Sequence, residues 1–194
     1  MNRIIKLALA DLMLNAALAA YHILFGLLER SWWLLTLGAY YLMLSVLRLT
    51  VTLVKKSDAF TVKFTGVMLM FLSLPLVGTV ILAAISDRGT AFHMIVMIGI
   101  AAYTFTKITL AIINFVRAKG RASARILMLR SISLATAAVS ILSLQRSMLV
   151  SFEGMTPDEI VIMNACTGGA VCLAVFALGL NLVIRSKKYK KNNR

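Results

Sequence analysis

Asp11, Asn15 and His22 follow one another at steps of four and seven residues, which on a helix puts an acid, an amide and an imidazole on one face. All three lie inside the apolar run Leu7–Leu28, where Asp11 is the only carboxylate in any apolar run of the chain. An ionised group in hydrocarbon costs about 2.5–3.5 kcal/mol, so such residues pair with a base, take up a proton or line a solute path. Bases lie inside the second and fourth apolar runs, Arg48 and Lys107. Counting from the charged ends, Arg48 sits as deep as Asp11, and hairpin neighbours of equal depth make Asp11–Arg48 the expected ion pair. Lys107 is the deepest base, about 15 Å from Arg117 at the helical rise. Asp11, Asn15, His22, Arg48 and Lys107 are therefore the expected substrate or proton path.

Each also has a structural reading. Arg48 and Arg130, within two turns of a charged flank, fit anchors whose stems lie along lipid while the heads reach water. His22 could carry a proton or bind a metal, but the apolar runs hold no second histidine, which favours a hydrogen-bonded helix contact. Tyr40, Tyr41 and Tyr103 could line a path, whereas Trp32 and Trp33 fit an aromatic belt at the membrane surface. His93 is expected at an outer mouth. No Walker loop, dinucleotide fingerprint, His-Glu-x-x-His or Cys-x-x-Cys occurs. No cluster of aspartates suits magnesium-assisted head-group transfer either, so no catalytic residue, enzyme activity or cofactor is expected.

The elements that must position these residues are six apolar runs: Leu7–Leu28, Trp32–Val54, Thr65–Ile85, Met94–Val116, Ile132–Val150 and Ile160–Ile184. Each matches the roughly 20 residues needed to cross about 30 Å of hydrocarbon. The chain is 60% hydrophobic yet carries a net charge of +14, and the placement of the charge reconciles the two. Of 21 basic residues, only Arg30, Arg88 and Arg146 are assigned to the first, third and fifth connections. The stub, the second and fourth connections and the tail hold nearly all the others. Short Lys/Arg-rich loops stay cytoplasmic, so the expected architecture is an all-α bundle of six transmembrane helices in one domain with both termini inside. In 194 residues this leaves no room for a separate soluble domain. The stretch from Met1 to Lys6 is basic, but Asp11 and Asn15 interrupt a would-be signal core, so the first run is expected to be a retained span.

The remaining connections carry local signals. Glu29-Arg30-Ser31 fits a tight outer turn, Lys55–Asp58 an inner turn, and Gly89 a helix C-cap. Arg117–Arg121 is the most basic inner connection. Thr156-Pro157-Asp158-Glu159 reads as a capping box with proline at the first helical position. Pro75 lies in mid-span and should kink the third helix, leaving carbonyls near Phe71–Ser73 short of partners. Three hairpins of about 60 residues follow one another, but only Arg48-Leu49-Thr50 and Lys107-Ile108-Thr109 match between them. Gly168, Gly169, Ala170, Cys172 and Ala174 give the last run a small-residue face for packing or for a homodimer. Cys166 and Cys172, about 9 Å apart along one helix, cannot form a disulfide and read as packing residues. The tail residues Arg185, Lys187, Lys188, Lys190 and Lys191 follow a span directly, where each gains about 1 kcal/mol from anionic lipid. The expected partners are thus the bilayer and its anionic lipids, with no nucleic acid.

Asn15, then Gly26-Leu27-Leu28-Glu29-Arg30-Ser31, then a second apolar helix resembles the first hairpin of the cation diffusion facilitators, with weaker likeness at Gly66, Ser131–Ser140 and Gly168–Arg185. The resemblance implies a six-helix, both-ends-inside metal/proton antiporter. Its paired ligand positions fall on Tyr40 and Leu44 in the second helix and near Leu129 and Ser133 in the fifth. These are poor ligands for a divalent cation, and the family's cytoplasmic metal-binding domain is absent. The scaffold without its metal site is what the resemblance implies. The string Ala102–Lys107 is similar to one in bacterial membrane proteins of no assigned role, which points to a bacterial cytoplasmic membrane. The functional expectation is transport of a small solute or proton and not of a divalent metal. Its alternative is a non-transporting membrane subunit or scaffold that recruits lipid or a protein through its basic cytoplasmic face.

Overall fold

The computed structural model describes residues 2–53, 59–85, 94–117, 123–151 and 154–192. Six helices follow in order: α1 (Asn2–Leu28), α2 (Trp32–Leu53), α3 (Ala59–Ile85), α4 (Met94–Arg117), α5 (Ala124–Ser151) and α6 (Pro157–Asn192). No strand occurs among the described residues. Within them, α2, α3 up to Leu82, α5 up to Leu149 and α6 up to Lys187 are long and apolar enough to cross a membrane. The apolar stretches of α1 and α4 are shorter, Leu12–Leu28 and Thr104–Ile113. Such an architecture suits a membrane-embedded protein, in which every backbone N–H and C=O must be satisfied within its own helix.

Several helices outrun their apolar runs. α5 begins at Ala124 rather than Ile132, and α6 continues to Asn192 rather than stopping at Ile184. Nothing in Arg125–Arg130 or Arg185–Lys191 breaks a helix, and lysine and arginine are good helix formers. The same continuation corrects the placement of Arg146, which belongs to α5 and not to a connection. Pro75 lies inside an uninterrupted α3. The Ser73 hydroxyl donates to the Met70 carbonyl at 2.6 Å and Thr79 to Leu76 at 2.7 Å, so hydroxyls engage carbonyls on both sides of the proline.

Two turns are built as their residues predict. Glu29 N–H donates to Phe25 O and Ser31 N–H to Gly26 O, with Arg30 at φ 50° closing the α1–α2 turn. Ser31 Oγ then receives the Leu34 N–H at 3.5 Å as the N-cap of α2. At α6, the Thr156 N–H donates to Glu159 Oε2 at 2.8 Å and the Glu159 N–H to Thr156 Oγ1 at 3.4 Å, the reciprocal pair of a capping box. These bonds hold the exposed Glu159 carboxyl below the usual glutamate range. The Lys55–Asp58 turn, Gly89, His93 and most of Arg117–Arg121 lie outside the described residues.

Packing divides the bundle into a frame and a polar sector. The frame is the antiparallel pair α3·α6, the most extensive helix contact, where Gly66 and Gly179 each face the other's carbonyl oxygen and Gly168 faces Val80. The small-residue face expected on α6 is divided between this contact and the surface. Gly168 and Cys172 are buried, Gly169, Ala170 and Ala174 are exposed, and the closest approach to backbone on α3 is made by Gly179. The polar sector is formed by the antiparallel pair α1·α2, by α5 against α2, and by α4 against α5. The starts of α1 and α5 lie at the same end of the bundle as the end of α2, here the near end. The α1–α2 turn marks the far end.

Candidate functional site

The face of α2 that meets α5 carries Tyr41, Ser45 and Arg48, and the opposing face of α5 carries Ser133, Thr136 and Ser140. Two bonds link them. Arg48 Nη2 donates to Ser133 Oγ at 2.7 Å, and Tyr41 and Ser140 join hydroxyl to hydroxyl at 3.1 Å. The Ser140 proton is already given to Thr136 O at 2.9 Å, so Tyr41 is the donor to Ser140. Arg48 lies seven residues beyond Tyr41, and Ser133 seven before Ser140, which fixes one antiparallel register for both contacts.

The third helix repeats that spacing. His22, seven residues beyond Asn15 on α1, places its ring 5.3 Å from that of Tyr41. Its Nδ1–H donates to the Leu18 carbonyl at 2.7 Å, leaving Nε2 as the ring's acceptor. Asn15, with no exposed surface, receives Lys107 Nζ on Oδ1 at 3.0 Å, joining α1 to α4. Lys107 shares its face of α4 with the buried Thr104 and Ala111.

Two polar tiers result, about 10 Å apart at the helical rise. The far tier is His22, Tyr41 and Ser140. The near tier is Asn15, Arg48, Ser133 and Lys107. In each tier α1, α2 and α5 contribute one residue at a heptad interval, because seven residues bring a helix back almost to the same face.

Four of the five path residues expected from the sequence thus belong to one sector. The fifth, Asp11, stands on α1 one turn nearer the near end than Asn15. Its side chain lies outside the described residues, as does the expected Asp11–Arg48 pair. Arg48 is corrected from a snorkelling anchor: it is 1% exposed and hydrogen-bonded to α5. Lys107 likewise turns into the bundle toward Asn15. Arg130 is half-buried with Nη1 lacking a partner. Tyr40 is buried with its hydroxyl unpartnered.

Ser133, Ser140 and Arg146 were not singled out as path residues by sequence. The heptad step from Ser133 to Ser140 was the available signal for the first two. Arg146 is 3% exposed, with its guanidinium carbon 4.8 Å from the ring centre of Trp33. This corrects Trp33 from an aromatic-belt residue: it is 6% exposed, against 71% for Trp32. The stacked cation extends the α2–α5 interface to the far end. Nearby on α6, Asn164 is buried with both amide atoms unpartnered, one residue from the Met163 carbonyl that receives Gln145 Nε2 at 3.1 Å.

Among the described residues no three of His, Cys, Asp and Glu come together as metal ligands. The positions that the resemblance aligns with metal ligands hold a buried Tyr40, Leu44 and Leu129, while Ser133 accepts a bond from Arg48. Cys166 is exposed and Cys172 buried, both as free thiols. The exposed Arg185 donates through Nε to Asn181 Oδ1 at 3.0 Å, at the start of the basic stretch of α6. No family model matches the chain, and neither a curated protein nor a solved structure matches it.

Proposed function

We propose that this protein spans a bacterial cytoplasmic membrane six times, with both termini inside, and moves a small solute or a proton between α1, α2, α4 and α5. The observation that carries the reading is the pair of polar tiers. Buried polar groups that pinned one helix to another would share a register between those two helices alone. Here three helices each supply a polar residue to both tiers, and the two tiers lie in line along the bundle axis. Intramembrane polar residues that face a common interior are where solute and proton pathways are built. In this reading the solute is not a divalent metal, a choice supported by the Tyr40, Leu44, Leu129 and Ser133 side chains at the positions the resemblance aligns with metal ligands. The near end would be cytoplasmic, with the basic stretch of α6 against anionic lipid.

The competing reading is a non-transporting subunit, favoured by the hydrogen-bonded, helix-joining state of most of these side chains. Cysteine substitution separates the two. In a background lacking Cys166 and Cys172, Ser133→Cys, Thr136→Cys and Ser140→Cys should react with a membrane-impermeant thiol reagent in vesicles. Gly89→Cys and Gly154→Cys should label from outside, and Ser57→Cys and Lys119→Cys only from inside. Failure of all three α5 positions to label from either side would establish the scaffold reading. Outside labelling at position 119 would overturn the orientation.

A further inference from the structure

Two polar side chains beside α6 are buried without a hydrogen-bond partner. Asn164, on α6, is 1% exposed, and neither its Nδ2 nor its Oδ1 is bonded. Tyr40, on α2, is 2% exposed, and its hydroxyl is likewise unbonded. Cys172 lies close enough to Tyr40 to interact with it electrostatically, which sets the depth of α6 against α2. Asn164 is eight residues before Cys172, about 12 Å nearer the far end at the helical rise. It is also seven residues, about 10 Å, inside Pro157, where the capping box that starts α6 is exposed.

A buried amide or hydroxyl without a partner carries its full desolvation penalty, and in native proteins such groups are met by bound water or a ligand. The pattern of open atoms restricts which. An anion would satisfy only Nδ2 of Asn164, and a cation only Oδ1. Both are met together by a neutral molecule that donates and accepts. The Tyr40 hydroxyl, itself donor and acceptor, suits the same chemistry, and the free Cys172 thiol adds a weak second partner. Space favours the smallest such molecule. A Cβ added at Gly168, one turn inward of Asn164, would run into the Val80 side chain, so the α3·α6 contact there is too close for a larger solute. Water needs little room and two or more polar partners.

We propose that ordered water occupies the core beside α6, one site on the Asn164 amide and a second, two turns further in, at the Tyr40 hydroxyl and the Cys172 thiol. The inference stands whether or not the sector between α1, α2, α4 and α5 conducts a solute, because α6 contributes nothing to that sector.

Water-edited solid-state NMR of the full-length protein in proteoliposomes is the test, since at short mixing times magnetisation passes from water only to groups beside it. The Asn164 side-chain amide and the Tyr40 ring should receive it as fast as Asn181, which is bonded to the exposed Arg185. Both should lead the methyl groups of Val139 and Val175, which have no exposed surface. Either group lagging with the valines overturns the proposal. Tyr40→Phe removes the hydroxyl at nearly constant volume and supplies a second readout in detergent. If the hydroxyl holds water, the change strands a hydrogen bond and should lower Tm. If the hydroxyl is dry, the change relieves a burial penalty and raises Tm. An unchanged or higher Tm for Tyr40→Phe therefore also overturns the proposal.

Discussion

A methyl group added at Gly66 would sit 2.7 Å from the Gly179 carbonyl oxygen, and one added at Gly179 would sit 2.6 Å from the Gly66 carbonyl oxygen. Ordinary contact begins near 3.4 Å, so α3 and α6 must separate by about 0.7 Å at this crossing to admit one methyl group. The obstructing atoms are backbone, and no rotamer change can move them aside. Opening a packed contact by 0.5–1 Å forfeits roughly a quarter to a half of its dispersion energy. Between membrane helices that energy matters more than in water, because lipid tails supply no hydrophobic drive for association. The cost of Gly66→Ala is therefore set at about 1–3 kcal/mol, the range for overpacking a tight contact. The helix propensity gained from alanine, about 1 kcal/mol in water, offsets little where the unfolded reference in detergent stays helical.

The controls lie on the same two helices. Gly78 and Gly169 have no atom within 4 Å of an added Cβ, so Gly78→Ala and Gly169→Ala should be neutral or slightly stabilising. Unfolding in mixed micelles at rising sodium dodecyl sulfate fraction provides the assay. Gly66→Ala and Gly179→Ala should unfold at lower fractions than the parent, and the double variant should lose less than the two single losses combined. A helix pair already opened by the first methyl group meets the second at reduced cost. If Gly66→Ala is as stable as Gly169→Ala, α3 and α6 do not cross at these glycines, and the frame assigned to the bundle is wrong.

The Tyr41–Ser140 bond should show in a double-mutant cycle of Tyr41→Phe and Ser140→Ala as a coupling of about 0.6–1.7 kcal/mol, the scale of interhelical bonds in membranes; zero coupling would remove the far-tier link between α2 and α5. The Thr156→Ala change should destabilise the start of α6 by about 1 kcal/mol, read as faster amide exchange in its first turn. Because the Glu159 carboxyl is held below its ordinary value of 4.5, the cap is at full strength above that pH and is lost as pH falls through the folded-state value; Thr156→Ala should flatten this dependence. Zinc titrated calorimetrically into the purified protein should show no stoichiometric submicromolar site, and finding one would return the chain to a metal-transport reading.

Hydropathy made the helical class legible because backbone satisfaction in lipid leaves helix as the only conformation open to such apolar runs. It marks apolar runs and not the ends of α5 and α6, because apolar character and helical hydrogen bonding stop at different residues. Arg125–Arg130 and Arg185–Lys191 leave the apolar zone without leaving the helix. Assigning Arg146 to a loop was the same error, since a charge near a boundary says nothing about which way its side chain turns. Trp32 and Trp33 show the limit of composition at one point: adjacent and chemically identical, they are separated by 100° of helix turn into surface and core.

The inward face of α1 was legible because the step from Asn15 to His22 is local, whereas the bond from Arg48 to Ser133 was not. Hairpin adjacency pointed Arg48 at Asp11 on α1, a pairing outside the described residues, but α2 also meets α5, and Ser133 is 85 residues away in the chain. Nothing in a single sequence says which distant helix fills a second flank. What could have been seen is that Asn15/His22, Tyr41/Arg48 and Ser133/Ser140 share one spacing. One such pair is common and means little. Three pairs on three helices limit the arrangements that keep polar atoms out of hydrocarbon, because a tier closes only when all three helices present that face together. The heptad step thus favours α5 as a neighbour of α2 beside α1 and α3, and the two bonds from α2 to α5 are its consequence.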